Sequence, residues 1–473
     1  MSIPQIPALR RGQPYTSLDK VEIKNVRSGE PVAQVSQVNA GIIKRDLRRS
    51  SRDALKKFTV SELLEITRKA GDLFMEANLP LEGETTQSPQ DYIEQLSASS
   101  GLPHSLIRKN QAKIYQVFTE MPTILKGLTR GMDVNILDSG SGEQSGVPVS
   151  FFPLAQELGV VLPSNSPGVN SLWMPAIPLK IPVVLKPGRE EPWTPFRIIQ
   201  AFIAAGCPAE AFSFYPTDHE GSGTILQACQ RALIFGDVKT VERYASNPGI
   251  EVHGPGWSKV LIGKDKIANW RDYLDVIVSS IVENGGRSCI NASAVLVPSH
   301  AQEIAEALAE RLAAIQPVPY TDPKATLSGF ANPNMAEHID ATIDEDLKTA
   351  GATDMTARYR TSPRKVTLDG STYLLPTLVH CQNMEHPLAN REFLFPYASI
   401  VEVPQEQMPE KMGQSLVVTA ITEDKDFIQN LIESPHVERL NIGAIPTMRV
   451  NWDQPHEGNL FEFLYRRRAI QWA

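Results

Sequence analysis

Between residues 158 and 246 the chain alternates short β-branched and aromatic runs with stretches of helical character, and no other feature constrains the fold as tightly. The runs are Gly159-Val160-Val161-Leu162, Val183-Val184-Leu185, Phe212-Ser213-Phe214 and Leu233-Ile234-Phe235, with helices predicted near 168–178, 193–205, 220–230 and 238–246. Strands separated by helices cross over rather than fold back as hairpins, so the pattern predicts a parallel sheet with helices on both faces. Ligands bind such sheets outside the carboxyl ends of the strands, which makes the residues just after each strand the ones to read for function.

A second alternating stretch starts at Lys259-Val260-Leu261-Ile262, passes through Ala294-Val295-Leu296-Val297 and continues to about residue 433. At ~100–200 residues per domain, 473 residues call for two or three domains. The Gly/Pro-rich segment from Asn247 to Gly256 is the predicted boundary. Residues 318–366 have weak periodicity and read as irregular connections around one helix.

The second stretch contains the segment Asn284-Gly285-Gly286-Arg287-Ser288-Cys289-Ile290-Asn291-Ala292, between a predicted helix (about 270–283) and the strand 294–297. A thiol there is displayed on a small-residue loop. The glycines allow close approach of backbone to a ligand, and Arg287 favours the thiolate. Cysteine is also a small hydrophobe often found buried, so this segment gains weight only from what accompanies it.

Composition narrows the classes. A net charge of -8 with 21% charged residues gives no basic face for nucleic acid. The basic runs Lys44 to Arg52 and Arg466 to Arg468 read as solvated faces. Four cysteines at 207, 229, 289 and 381, without a CxxC pair, imply neither a disulfide framework nor a metal site, and they suit a reducing compartment. No run of about 18 apolar residues and no signal-like N-terminus is present, so the expected location is cytoplasmic, with no membrane span.

Further landmarks follow in one order: Ser28-Gly29-Glu30-Pro31-Val32-Ala33, Pro163-Ser164-Asn165-Ser166-Pro167, Val183-Val184-Leu185-Lys186-Pro187, Phe235-Gly236-Asp237, then Cys289, Leu375-Pro376-Thr377-Leu378 and Glu392-Phe393-Leu394-Phe395-Pro396. Together they resemble the aldehyde dehydrogenase superfamily over most of the chain. The resemblance implies an α/β fold: a Rossmann-like dinucleotide-binding domain (1–131 and 153–252), a second α/β catalytic domain carrying the cysteine (253–445), and oligomerisation arms (132–152 and 446–473). It implies an NAD- or NADP-dependent oxidoreductase in which Cys289 attacks an aldehyde carbonyl, forming a thiohemiacetal and then a thioester. Asn165 would donate to the oxyanion. Lys186 would bind the adenosine ribose, Gly236 and Asp237 would lie on the phosphate side, and Glu392 would take the nicotinamide-side ribose. A homodimer or homotetramer is implied as well. Trp452, Phe461, Phe463, Leu464 and Trp472 of the tail are expected to be covered by a partner subunit.

The chain departs from the family pattern in places. Hydrolytic members carry a glutamate as water-activating base; here the segment reads Glu251-Val252-His253-Gly254-Pro255-Gly256-Trp257, which aligns His253 with it, or Glu251 after a two-residue shift. Arg287 replaces the usual glutamine, Leu394 a phenylalanine, and Asp237 a serine. Asp237 is a good helix cap whose charge opposes a pyrophosphate. Loss of the glutamate also marks the CoA-acylating branch, including acyl-CoA reductases, in which a thiol takes the acyl group. Carboxylate and acyl-CoA therefore both stand as the product of aldehyde oxidation, and acyl-CoA as a substrate for reduction. A catalytically silent assembly or binding subunit is a further alternative. Arg189, three residues after Lys186, could bind a 2′-phosphate through a guanidinium fork, favouring NADP, whereas Glu190 in that role would favour NAD.

Overall fold

The computed structural model describes residues 3–471; Trp472 of the tail lies outside them. The chain forms two compact units. One holds the residues up to Ser99, Ile107–Gly254 and the tail from Asn451; the other holds Ser100–Leu106 and Pro255–Val450.

The first unit is built on a seven-stranded sheet in the order Ile250–His253, Arg231–Phe235, Leu158–Val161, Val183–Lys186, Phe212–Phe214, Ala8–Arg10, Gln13–Tyr15. The first five strands are parallel, and the N-terminal hairpin adds the last two antiparallel. Val183, Val184 and Leu185 are buried on both faces, which explains why that strand reads as a continuous apolar run. The chain enters at the central strand Leu158–Val161, builds outward to Phe212–Phe214, then returns to the other side. The strand order thus reverses beside Leu158–Val161, where such sheets place a ligand crevice.

Helices follow at Trp193–Ala204, His219–Ala228 and Val238–Tyr244, close to expectation. The helix foreseen near 168–178 is instead two 3-10 turns, Pro167–Leu172 and Met174–Ala176. Pro167 and Pro175 each remove an N–H, and the second interrupts any longer ladder. The Gly/Pro-rich boundary segment hides a strand: Ile250–His253 pairs with Ala232–Phe235, so His253 belongs to the first sheet and the units divide after Gly254, not after residue 252.

The segments at 132–152 and the tail also belong to this unit. Tyr465–Arg468, Val147–Pro153 and Ser141–Gln144 form a three-stranded antiparallel sheet. Of the tail's apolar groups, Phe461 and Leu464 are buried in their own unit, Phe461 against Phe151, whereas Trp452 and Phe463 are only half-buried there. The basic run at 44–52 is likewise not wholly a solvated face. Arg52 is buried and donates to the carbonyl of Lys180 and the hydroxyl of Tyr465.

The second unit has its own seven-stranded sheet in the order Ala352–Asp354, Thr377–Cys381, Tyr397–Glu402, Ala292–Val297, Ser258–Ile262, Ser415–Ile421, Val437–Ile442, parallel except for Ala352–Asp354. On one face Val260, Val295 and Ile400 pack against the helices Leu274–Val282 and Ala301–Ala313; on the other Leu261, Leu296 and Val401 meet Ala336, Ile339 and Ile343 of the helix Pro333–Asp346. Among the described residues no helix is long and apolar enough to cross a membrane.

Candidate functional site

In the second unit the candidate residues gather at the amino ends of three neighbouring strands. Gly256 and Trp257 lead into Ser258–Ile262, Cys289 leads into Ala292–Val297, and Glu392 precedes Tyr397–Glu402. The rule of reading after each strand misses this place, because here the chemistry-bearing side chains enter the sheet rather than leave it.

The cysteine loop is shaped by three consecutive residues in the left-handed region: Asn284, Gly285 and Gly286, at φ 55°, 67° and 67°. A side chain at Gly286 would meet the backbone of Phe395 and Pro396, with a Cβ 2.3 Å from the Pro396 nitrogen. Glycine is required there by both conformation and space. Asn291 then fixes the turn: its Oδ1 accepts from the Ser288 N–H at 2.9 Å, and its Nδ2 donates to the carbonyls of Ser280 and Glu283 at 3.1 and 2.9 Å. Ser258 Oγ donates to the Cys289 carbonyl at 2.9 Å while accepting from the Val417 N–H at 3.2 Å. Cys289 is therefore held by its backbone, and its side chain stays half-buried beside Ile290, Leu416 and Val417. Cys207, Cys229 and Cys381 are buried, and burial raises each thiol pKa, that of Cys381 to about 12. The Arg287 guanidinium donates to the Ser100 carbonyl at 2.9 Å.

The Glu392 carboxylate accepts from the N–H groups of Gly256 (3.1 Å) and Trp257 (2.5 Å). Trp257 has φ +43°, strained for so bulky a residue. Lys259 holds the other side of that turn. Its fully buried ammonium donates to the Trp257 carbonyl at 2.6 Å and to Ser415 Oγ at 3.1 Å, and burial pulls its pKa down to about 7 against the opposing charge of Glu392. Sequence reasoning missed Lys259 and Asn291. A lone lysine starting an apolar strand was the available signal for the first; the second differs in nothing from an ordinary loop asparagine.

In the first unit the remaining candidates lie at the carboxyl ends of the parallel strands. Asn165 is in the loop between Leu158–Val161 and the 3-10 turn capped by Ser166, so it precedes the cap rather than serving as one. Lys186 ends its strand half-buried; burial lowers its pKa, partly offset by Glu190. The loop after it packs closely on the Asn165 loop, since a Cβ at Gly188 would lie 2.4 Å from the Pro163 carbonyl and Glu190 N–H donates to Ser164 Oγ at 3.3 Å. Arg189 is exposed. Gly236 N–H donates to the His253 carbonyl at 3.1 Å. Asp237 caps the helix Val238–Tyr244, its carboxylate accepting from the Thr240 N–H and hydroxyl, both at 2.9 Å. That places a negative charge at the helix start, which opposes an anion there.

His253 is buried and stacked on Phe235, ring centroids 4.6 Å apart. Its Nδ1 lies 2.8 Å from Glu457 Oε1 and its Nε2 3.8 Å from Glu251 Oε1. Burial lowers the imidazole pKa, but Glu457 and then Glu251 more than reverse that, leaving it above the ordinary histidine value. Glu251 and His253, the two candidate bases, are thus partners of one another in a carboxylate–imidazole–carboxylate cluster completed by Glu457. Glu457 was not foreseen, being about 200 residues distant along the chain. Among the described residues no cluster of His, Cys, Asp and Glu is arranged to hold a metal ion.

The aldehyde dehydrogenase family model matches residues 15–412. The chain belongs to the aldehyde dehydrogenase family. Solved structures agree at the level of fold. An indole-3-acetaldehyde dehydrogenase in complex with NAD+ is 15% identical, with a TM-score of 0.81, covering 99% of this chain and 96% of that one. A succinate-semialdehyde dehydrogenase from Burkholderia pseudomallei is 16% identical (TM-score 0.78, coverage 98% and 97%), and a 3,6-anhydro-L-galactose dehydrogenase in complex with NADP is 13% identical (TM-score 0.75, coverage 99% and 100%). No curated protein matches the sequence.

Proposed function

We propose that the chain is an NAD(P)-dependent oxidoreductase acting at the aldehyde level through a covalent thioester on Cys289, with a thiol such as CoA as the acyl acceptor or donor. The observation that carries the covalent part is the backbone-pinned, half-buried Cys289, in contrast to three buried cysteines. Such a thiol can reach a carbonyl, and its fixed backbone N–H can help hold the resulting oxyanion.

Support for a thiol as acceptor comes from the surroundings of His253. Hydrolysis of the thioester needs a base that strips a proton from water, and the imidazole of His253 is already engaged, 2.8 Å from Glu457 and 3.8 Å from Glu251. A thiol acceptor ionises far more readily and needs less help. The geometry around His253 therefore favours acyl transfer to a thiol over release of a free acid.

A bound nicotinamide supplies the hydride acceptor or donor. Lys186 and Arg189 would hold its adenosine end, and Glu392 its nicotinamide-side ribose. The Asp237 cap does not suit a pyrophosphate at the start of its helix, so Gly236 would contribute through its backbone alone. Assembly as a homodimer or homotetramer belongs to the same proposal, with the outer strand Ser141–Gln144 of the small sheet as a pairing edge.

The test is a panel of aldehydes with NAD+ and NADP+, each with and without CoA, following reduced nicotinamide. CoA-dependent turnover is the expected result. Equal rates without CoA, with free acid as product, would favour the hydrolytic reading, and no turnover under any condition would favour the silent one. Asn165→Ala is expected to lower kcat by ~10²–10³, the usual effect of losing one oxyanion donor; an unchanged kcat would leave Asn165 a loop residue. Arg189→Ala is expected to cut kcat/KM for NADP+ about tenfold and spare NAD+. A strong NAD+ preference untouched by the substitution would count against Arg189.

A further inference from the structure

The N-terminal hairpin of the first unit carries a pocket that the proposed chemistry does not use. The strands Ala8–Arg10 and Gln13–Tyr15 are joined by Arg11 and Gly12, both left-handed at φ 51° and 77°. Positive φ at both central residues is the turn that suits the twist of a two-residue hairpin, and asparagine or glycine is the usual first residue. An arginine there is strained. Gly12 cannot be otherwise, since its Cβ would lie 2.2 Å from the Ala209 carbonyl, but nothing in the turn asks for a guanidinium.

Arg11 lines a cavity of about 250 Å³ together with Arg10, Tyr15, Asp46 and Arg49. Taking ~30 Å³ as a water's share of liquid volume, that is room for about eight waters, enough for a diphosphate and part of what carries it. Its charges are unequal. Arg10 forms a fork with Asp46, Nε and Nη2 each 2.6 Å from a carboxylate oxygen, and Tyr215 donates to the same carboxylate at 3.2 Å, so Asp46 is neutralised within the wall. Arg10 also lies over the Tyr15 ring at 5.2 Å. Among the described residues neither Arg11 nor Arg49 has an ion-pair partner. The buried Glu157, which feels the charge of Arg11, is engaged by the Ser50 hydroxyl and lies outside ion-pair distance. Two guanidinium forks from separate elements, a hairpin turn and the residues after the helix Ala40–Leu47, thus share a concave site with one aromatic ring.

We propose that this pocket binds a phosphorylated small molecule, with the phosphate or diphosphate held between Arg11 and Arg49 and the attached group resting on Tyr15. A monocarboxylate would occupy one fork and leave the other charge unmatched; a phosphate presents three or more oxygens to both. This also accounts for the arginine at a turn position that glycine would fill with less strain.

Pyrophosphate is the probe, titrated calorimetrically into the whole protein at constant ionic strength, alone and with saturating NAD+. Saturable binding that NAD+ does not displace, weakened at least about tenfold by Arg11→Gly and by Arg49→Gln, is the expected result. Arg11→Gly should melt at the same or a higher temperature than the parent, because glycine accepts the left-handed turn, so its loss of binding cannot be ascribed to unfolding. The proposal is overturned if pyrophosphate does not bind, if NAD+ displaces it, or if both variants bind it as the parent does.

Discussion

Cys289→Ala is expected to lower turnover by at least ~10⁴-fold while leaving dinucleotide affinity within about twofold of the parent. A covalent mechanism loses its nucleophile outright, and only binding and oxyanion stabilisation remain to accelerate the reaction. The substitution is also mild for the fold: the side chain is half-buried beside a small cluster of Ile290, Leu416 and Val417, and the contacts that fix the loop run through backbone and neighbours. Cofactor affinity should survive because the residues assigned to the adenosine end lie in the other unit. Steady-state rates and a fluorescence titration with NAD(P)H check both halves. A variant retaining more than a few per cent of the parent rate would end the covalent reading.

The parallel sheet of the first unit was legible because burial on both faces forces long apolar runs, and Val183–Leu185 and Leu233–Phe235 have little else they can be. Asp237 was legible for a local reason: an acidic cap reports on backbone groups three residues away, and Thr240 is where the rule puts the partner. The strand Ile250–His253 was lost in a segment rich in glycine and proline, because its pairing with Arg231–Phe235 is a long-range fact with no local mark. The same holds for His253 itself. Its identity suggests a base, and its partner Glu457 is brought in by the returning tail. For the tail, the cluster of aromatic residues was legible but their neighbours were not: Phe461 meets Phe151, a residue some 300 positions earlier in the same unit. Motifs thus single out candidate residues, while their neighbours depend on contacts between distant parts of the chain.

Gly256→Ala is expected to be the most damaging substitution that touches no reactive atom. A Cβ at Gly256 would lie 1.9 Å from the Cys289 carbonyl oxygen and 2.7 Å from its carbon, so the obstacle is backbone and cannot turn aside as a side chain would. Gly256 is itself tied down, its carbonyl accepting from the Leu416 N–H at 2.7 Å and its N–H donating to Glu392 at 3.1 Å. One of the two segments must therefore shift. If Gly256 moves, the amide pair that holds Glu392 opens; if Cys289 moves, the Ser258 hydroxyl loses its carbonyl. A displacement near 1 Å at a reacting group is enough to lower kcat by ~10²-fold, and overpacking at a fixed site costs about 1–3 kcal/mol of stability. Gly254→Ala is the comparison, since a Cβ there would meet a Val241 methyl rather than backbone. The ratio of kcat for the two variants, with their melting temperatures, separates close approach from any general intolerance of alanine. Parental kcat in Gly256→Ala would mean that the position of Cys289 relative to this strand does not govern the chemistry.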